Sequence, residues 1–236
     1  MGGVCCAQPA GRVHVPFVGC KADGQAGPAE APAGATQTIR IDPKLAEKLA
    51  YYKSGRSPGV LAPRGWFCLG VYGSGGEALL VTREPVNVNL LLSSKWGNLT
   101  GLGVNVDLRY GYTSGRHSVA RAIARVFPKY DLFVKGVFQD FGVDPDLTYG
   151  PYPGDLLSYK TDRLVEYRTP PNSEGLGTMS SFLKPNEQPI HGLAALIGSM
   201  PELNLLVLSV RLPAKMNSLQ KAMIDQLEHE AADGLR

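Results

Sequence analysis

The residues best suited to chemistry lie in one stretch of the chain, between Val104 and Phe127. Its sequence, VNVDLRYGYTSGRHSVARAIARVF, contains four arginines and one of the chain's four histidines. After Asp107 the next acidic residue is Asp131. Two kinds of chemistry suit such a stretch. The arginines can bind an anion, and a serine with a histidine can perform nucleophilic catalysis.

An anion site is predicted at the turn that precedes the helix of this stretch. The first backbone N–H groups of a helix have no partner within it and the helix dipole is positive there, so helix N-termini attract anions. The guanidinium of Arg116 can hold phosphate, sulfate or carboxylate through two hydrogen bonds. The predicted ligand-binding residues are Arg109, Tyr112, Ser114, Gly115 and Arg116. The alternative is a helix capped by Thr113 or Ser114 whose arginines face solvent.

A second hypothesis makes the chain a hydrolase with Ser114 as nucleophile and His117 as base. Their spacing of three brings the two side chains near each other on a helix, and Asp107 or Asp155 would orient the imidazole. The sequence contains no G-x-S-x-G nucleophile elbow. Whether the chain is an enzyme is therefore left open.

A third hypothesis concerns the proline-rich loop of residues 149–155. Tyr149 and Tyr152 are held on a stiff backbone close to the carboxylate of Asp155. Such rings can stack on a sugar or a peptide, so Tyr152 and Asp155 are candidate residues of a protein- or glycan-interaction module. The alternative is that Tyr152 packs beneath its own loop.

Basic and acidic residues are distributed unevenly along the chain. Residues 1–136 contain 16 basic and 8 acidic residues, whereas residues 137–236 contain 8 and 13. Such polarity can steer an anionic partner, although two solvated faces of opposite sign are the simpler interpretation. We do not expect nucleic acid as a partner, because no RNA- or DNA-binding motif is present. We expect no metal and no cofactor, because no histidines and cysteines have metal-ligand spacing.

Two of the four cysteines, Cys20 and Cys68, lie in segments that are predicted to be ordered. A disulfide between them is favoured over two buried reduced thiols, and it would indicate an oxidising compartment. Closing this loop would stabilise the fold by on the order of 4 kcal/mol in the chain-entropy model.

The apolar patterns, with 28 glycines and 18 prolines, predict an α+β fold rather than a helical bundle. Val104, Val106 and Leu108 alternate with polar residues, which predicts a strand with one buried and one exposed face. Expected antiparallel strand pairs are 66–72 with 77–82, joined by a four-residue loop, and 190–197 with 203–212. Other expected elements are helices at 43–53, before Pro128, at 129–141 and at 216–231, a strand at 163–169, and an apolar run at 86–92.

These elements predict a single α+β domain at residues 40–236, in which a mostly antiparallel sheet packs with three or four helices. Residues 1–39 are expected to be a flexible segment that combines a signal-peptide remnant with a linker rich in alanine, glycine and proline. No apolar run is long enough to span a membrane. The start, Met1 to Cys6, partly resembles a lipidation motif, which leaves an N-terminal lipid anchor as an alternative.

The chain contains GWFCLGVYGS at residues 65–74, GPYPGD at 150–155 and GLGT within the segment 169–178. In these three stretches it resembles a family of exported bacterial proteins with no assigned activity. The resemblance extends from about Val15 to Pro213 and implies an envelope location and a cleaved signal peptide. It implies no catalytic residues.

We therefore expect an exported, soluble binding or structural protein, located in the periplasm or secreted. Its expected partner is a small anion or a protein of the envelope.

Overall fold

The computed structural model describes residues 11–86, 99–142 and 147–234. Within these ranges the chain forms two β-sheets and five α-helices, which confirms a mixed, mostly antiparallel fold with more helices than expected. Residues 1–10, and residues 87–92 of the predicted apolar run, lie outside the described residues. No helix in the described ranges is long and apolar enough to cross a membrane.

The larger sheet has eight strands, and its central strands carry the candidate site. Their spatial order is β2 (Ala22–Gly24), β6 (Phe67–Gly73), β7 (Gly76–Thr82), β8 (Gly103–Arg109), β12 (Asn204–Arg211), β11 (Ile190–Ile197), β10 (Leu164–Thr169) and β9 (Leu156–Thr161). All neighbours are antiparallel except β2 and β6. Both predicted strand pairs are confirmed. The β6–β7 turn is tighter than predicted, because Gly73 pairs with Gly76 and only two residues lie between them.

The smaller sheet has four strands, and β1 and β4 at its centre run parallel. The spatial order is β3 (Thr36–Ile41), β1 (Gly11–Cys20), β4 (Leu49–Ser54) and β5 (Val60–Pro63). Three of the twelve strands therefore lie wholly or largely in the segment that was expected to be flexible. For residues 11–24 and 36–39 that prediction was wrong, because alternating apolar side chains such as Val15 pack into the core.

The helices are α1 (Pro43–Ala46), α2 (Arg116–Val126), α3 (Asp131–Phe141), α4 (Leu176–Met179) and α5 (Asn217–Gly234). The helices α2, α3 and α5 were predicted, and α4 and strand β9 were not. The predicted start of α1 is confirmed, since Asp42 Oδ1 accepts a hydrogen bond of 2.8 Å from the Lys44 N–H. Its predicted extension to Lys53 is wrong, because β4 begins at Leu49 and its side chains are buried on both faces.

The two faces of the larger sheet are covered by different elements. One face packs against the smaller sheet and α5, with Val81, Val106 and Leu208 in that core. The other face packs against α2, α3 and α4, with Val165, Leu196 and Val207 in a second core. The predicted disulfide is confirmed, and it joins Cys20 of β1 to Cys68 of β6, so it links the two sheets covalently.

Strand β8 is buried on both faces, so the predicted exposed face is wrong for Asn105 and Asp107. Their exposed fractions are 0% and 1%. The cover is the segment of residues 180–184, which follows α4 and is called the strap below. The Phe182 N–H donates a 2.9 Å hydrogen bond to Asn105 Oδ1, so the strap lies directly on the polar side of β8. This polar side forms the floor of the candidate site.

Candidate functional site

A cleft of about 270 Å³ lies between β8, β12, α2 and the strap, and we call it the α2 cleft. Leu205 and Val207 of β12 supply an apolar part of its lining. Its charged and hydroxyl-bearing residues include Asp107, Arg109, Ser118, Arg121, Ser181 and Lys184. Small-molecule sites combine an apolar lining with a few convergent polar groups in this way.

Asp107 and Arg109 form an ion pair on the floor of the α2 cleft. They are two positions apart on β8 and therefore lie on the same face of the sheet. Arg109 Nη2 donates a 2.7 Å hydrogen bond to Asp107 Oδ2, and Arg109 Nε lies 2.5 Å from Oδ1. Burial raises the pKa of the Asp107 carboxyl, while the Arg109 charge and hydrogen bond act in the opposite direction. Asp107, the only carboxylate among the described lining residues, is thus compensated within the protein.

Two more cations border the cleft, Arg121 from α2 and Lys184 from the end of the strap. Arg211 of β12, whose side chain is fully buried, donates a hydrogen bond from Nη2 to the backbone carbonyl of Lys184. Arg211 also donates hydrogen bonds of 3.3 Å to the carbonyls of Leu99 and Gly101. Burial lowers the pKa of Arg211 to about 10, so it stays cationic at neutral pH. The buried guanidinium of Arg211 therefore fixes the end of the strap that carries Lys184.

The middle of the strap is also fixed by hydrogen bonds. Ser181 Oγ donates to the Gly177 carbonyl at 2.5 Å and accepts from the Leu183 N–H at 3.1 Å. Together with the bond between Phe182 and Asn105, these contacts hold the wall of the α2 cleft in place. A binding site with preset walls loses little conformational entropy when a ligand binds.

A second cavity, of about 300 Å³, adjoins the first, and we call it the hairpin pocket. It shares Arg109 and Phe182 with the α2 cleft and is bordered by the β6–β7 turn. At its rim Ser74 Oγ lies 2.8 Å from Ser114 Oγ, and the Ser74 N–H donates a 2.7 Å hydrogen bond to Gln25 Oε1.

The β6–β7 turn packs against the predicted anion site at the start of α2. A Cβ atom at Gly115 would lie 2.0 Å from the Gly75 carbonyl oxygen, so the turn covers the backbone at this point. Gly115, not Thr113 or Ser114, is the N-cap residue, and no side chain makes a cap hydrogen bond. The Arg116 guanidinium forms a 2.8 Å ion pair with Asp140. Of the five residues predicted for the anion site, Arg109 is the one that lines a cavity together with other described cations.

The three residues of the hydrolase hypothesis contact other groups. Ser114 Oγ lies against Ser74, and the His117 ring packs edge-on against Phe138 at 5.4 Å between ring centroids. Both oxygens of Asp107 lie against Arg109. These contacts favour binding over nucleophilic catalysis.

Asp155, the carboxylate of the third hypothesis, is held within the protein. Its Oδ2 accepts a 2.7 Å hydrogen bond from the Leu176 N–H at the start of α4, and its Oδ1 accepts one of 2.7 Å from Thr169 Oγ1. Thr169 Oγ1 in turn accepts from the Gly177 N–H at 3.0 Å. This network joins the segments 150–155 and 169–178, and it positions α4 and therefore the strap.

The tyrosines of the site hypotheses have different positions. Tyr152 borders the α2 cleft, and the Arg125 guanidinium lies over its ring at 4.3 Å from the centroid. Tyr149 and Tyr112 are exposed, and the ring of Tyr112 stacks on that of Tyr110 at 5.8 Å.

Sequence reasoning missed several residues of the two cavities. Gln25 lies in the segment that was expected to be flexible, and Lys184 lies where no helix or strand was expected, so nothing in their local sequence marks them. Arg121 lies on the predicted helix before Pro128 but was not among the predicted site residues. Arg211 does have a local signal, because a charged residue inside the apolar run 203–212 must find partners when that strand is buried.

Comparison of the chain with protein-family models, with curated proteins and with solved structures finds no significant match.

Proposed function

We propose that this protein binds a small anion in the α2 cleft. The observation that carries the proposal is the charge of the described lining residues, which include the cations Arg109, Arg121 and Lys184 and a single carboxylate, Asp107, that is already paired with Arg109. An anion placed among these groups gains charge-assisted hydrogen bonds, which are about twice as strong as neutral ones. The half-buried setting weakens solvent screening of those contacts.

This site differs from the one that the sequence predicted, although both use the arginines around α2. At the predicted turn the Gly75 carbonyl packs against the Gly115 backbone, and the Arg116 N–H donates to the Thr113 carbonyl at 3.0 Å. The Arg116 side chain pairs with Asp140. Arg121 lies five residues further along α2 and borders the cleft. Anion binding thus remains the favoured function, with the strap supplying a contact that the sequence did not indicate.

The experiment that tests the proposal is titration calorimetry with inorganic phosphate and sulfate, supported by thermal unfolding. A ligand at about a hundred times its Kd stabilises the native state by about 2.7 kcal/mol. For a chain of this size that raises the unfolding midpoint by several degrees. We expect Lys184→Gln and Arg121→Gln each to weaken binding about tenfold, which corresponds to about 1.4 kcal/mol.

Lys44→Gln is the matched control, because it removes the same charge from the exposed helix α1 on the other side of the chain's fold. We expect it to leave the affinity for either anion unchanged. The proposal fails if neither anion binds the wild type, or if Lys44→Gln and Lys184→Gln weaken binding equally.

We also propose that the protein functions in an oxidising compartment such as the periplasm. The disulfide between Cys20 and Cys68 supports this location, since such bonds persist outside the reducing cytosol. The resemblance to exported bacterial proteins points the same way and remains a prediction. Alkylation of free thiols in freshly lysed cells tests it, and full labelling of all four cysteines would contradict it.

A further inference from the structure

We infer that the natural ligand is a sugar phosphate, whose phosphate occupies the α2 cleft and whose hydroxylated ring occupies the hairpin pocket. The inference rests on the proposed anion binding and adds the class of the ligand. Three observations carry it: the continuity of the two cavities, the neutral polar rim of the hairpin pocket, and the spacing of two hydroxyls on that rim.

The two cavities form a continuous surface on one face of the larger sheet. Arg109 and Phe182 line both of them, so a ligand that touches the Arg109 guanidinium reaches either side. Both cavities also have apolar lining residues, which include Val71 and Ala78 in the hairpin pocket and Val207 in the α2 cleft. One molecule with two chemically distinct parts fits this arrangement better than two separate ligands.

The hairpin pocket has an apolar base and a neutral polar rim. Ala78 and Phe182 are buried beneath it, and both belong to one small apolar cluster. The rim carries the Gln25 amide and the hydroxyls of Ser74 and Ser114. Gln25 Nε2 also donates to Ser74 Oγ at 3.4 Å, so the three groups are linked to one another. Each hydroxyl oxygen has a second lone pair, and the amide a second N–H, with which to bind a ligand. Their chemical complement is a ring with C–H groups on its faces and hydroxyls around its edge.

The charges at the hairpin pocket place the neutral part of the ligand there. Arg109 is the cation among its lining residues, and it lies at the border with the α2 cleft. Glu77 also lines the pocket, but it pairs with Leu108, the neighbour of Asp107, so its side chain lies on the opposite face of the sheet. Burial raises the pKa of the Glu77 carboxyl, while a hydrogen bond from Tyr110 and the charges of Lys53 and Arg56 act in the opposite direction. The pocket therefore offers hydroxyl and amide groups rather than charge.

The close packing of the β6–β7 turn fixes the spacing of the two rim hydroxyls. A Cβ atom at Gly75 would lie 3.3 Å from Ser114 Oγ and from the Gly115 nitrogen, so the turn approaches the start of α2 closely because glycine is there. Ser74 Oγ and Ser114 Oγ are consequently held 2.8 Å apart. Adjacent hydroxyls on a sugar ring have a similar separation, so the pair can bind a vicinal diol through two hydrogen bonds.

The test is titration calorimetry of the full chain with inorganic phosphate, with free glucose, mannose and galactose, and with the 6-phosphates of these three sugars. We expect at least one hexose phosphate to bind the wild type ten times or more as tightly as phosphate does. The double variant Ser74→Ala/Ser114→Ala should lose most of that gain and keep its affinity for phosphate. Lys184→Gln should weaken the binding of phosphate and of the hexose phosphate by the same factor.

The outcomes separate this inference from the proposed function. If phosphate binds but no hexose phosphate binds more tightly, the inference is wrong and the proposed function stands. If phosphate and the hexose phosphates all fail to bind, the proposed function fails. Gln25→Ala is a second variant that leaves both hydroxyls in place. A hexose phosphate whose affinity is unchanged in both variants would overturn the role of the hairpin pocket.

Discussion

Arg109 has two roles at the candidate site, because its side chain contacts Asp107 and also borders both cavities. Asp107 is buried, whereas about a third of the Arg109 side chain is exposed. The pair therefore consists of a carboxylate that needs a partner and a guanidinium that can still reach a ligand. An anion in the cleft would share Arg109 with Asp107 and would depend on Arg121 and Lys184 for additional charge.

Replacing Arg109 by glutamine should destabilise the protein in a pH-dependent way. The change leaves the Asp107 carboxylate buried without its cation, which costs about 2–3 kcal/mol at neutral pH given the partial exposure of Arg109. Burial already raises the pKa of Asp107, and loss of the Arg109 charge raises it further. In Arg109→Gln the native state keeps the Asp107 proton to a higher pH than the wild type does. The difference in unfolding free energy between the two proteins therefore grows as the pH rises from the Asp107 pKa of the wild type to that of the variant.

Urea unfolding of both proteins at about pH 5 and about pH 8 measures this effect. The control is the double variant Asp107→Asn/Arg109→Gln, which has no buried carboxylate and should be more stable than Arg109→Gln at about pH 8. An Arg109→Gln deficit of the same size at both pH values would show that Asp107 has the same protonation state in the two proteins across this range, which would contradict the prediction.

At the scale of elements, local patterns predicted the structure wherever neighbouring residues determine it. Apolar spacing was sufficient for α2, α3 and α5, and glycine-flanked alternation was sufficient for the β6–β7 hairpin. It failed for the polar face of β8, because the cover comes from the strap, which lies more than 70 residues away in the chain. It failed for β1 in a similar way, since the pairing of β1 with β4 is a long-range contact.

The strap depends on Arg211, so Arg211→Lys should affect both stability and binding. Lysine keeps the charge but lacks the planar fork that reaches the carbonyls of Leu99, Gly101 and Lys184. At least one buried carbonyl then loses its partner, which costs about 2–3 kcal/mol. Because the backbone of Lys184 is released, the affinity of the α2 cleft for phosphate should fall severalfold.

Chemical unfolding and phosphate titration measure the two effects of Arg211→Lys. Arg168→Lys, a change of the same type in the half-buried Arg168 of β10, is the control and should alter stability by less than about 0.5 kcal/mol. Wild-type stability in Arg211→Lys would mean that these carbonyl contacts contribute little. If Arg211→Lys is destabilised but binds phosphate as tightly as the wild type does, then the position of the strap does not determine phosphate binding in the α2 cleft.

At the scale of the whole molecule, the site is assembled from distant parts of the chain. The pairing of β8 with β12 brings residues 103–109 beside residues 205–211, and β2 carries Gln25 to the edge of β6. Strand order of this kind follows from how the two sheets and the helices bury their apolar faces together. Local sequence does not encode it, and of the two arginines predicted for the anion site only Arg109 lines a cavity with other described cations.

The disulfide between Cys20 and Cys68 is the covalent link between the two sheets, and its removal should lower stability without changing the fold. The two cysteines are separated by 48 positions, and closing a loop of that length stabilises by about 4 kcal/mol in the chain-entropy model, with 2–4 kcal/mol typical in practice. Cys20→Ala/Cys68→Ala should therefore unfold several degrees or more below the wild type. A reductant should lower the midpoint of the wild type, and of the control Cys5→Ala/Cys6→Ala, towards that of the bridge variant. The bridge variant itself should not respond to reductant, and a wild type equally insensitive would contradict the stabilising role of the bridge.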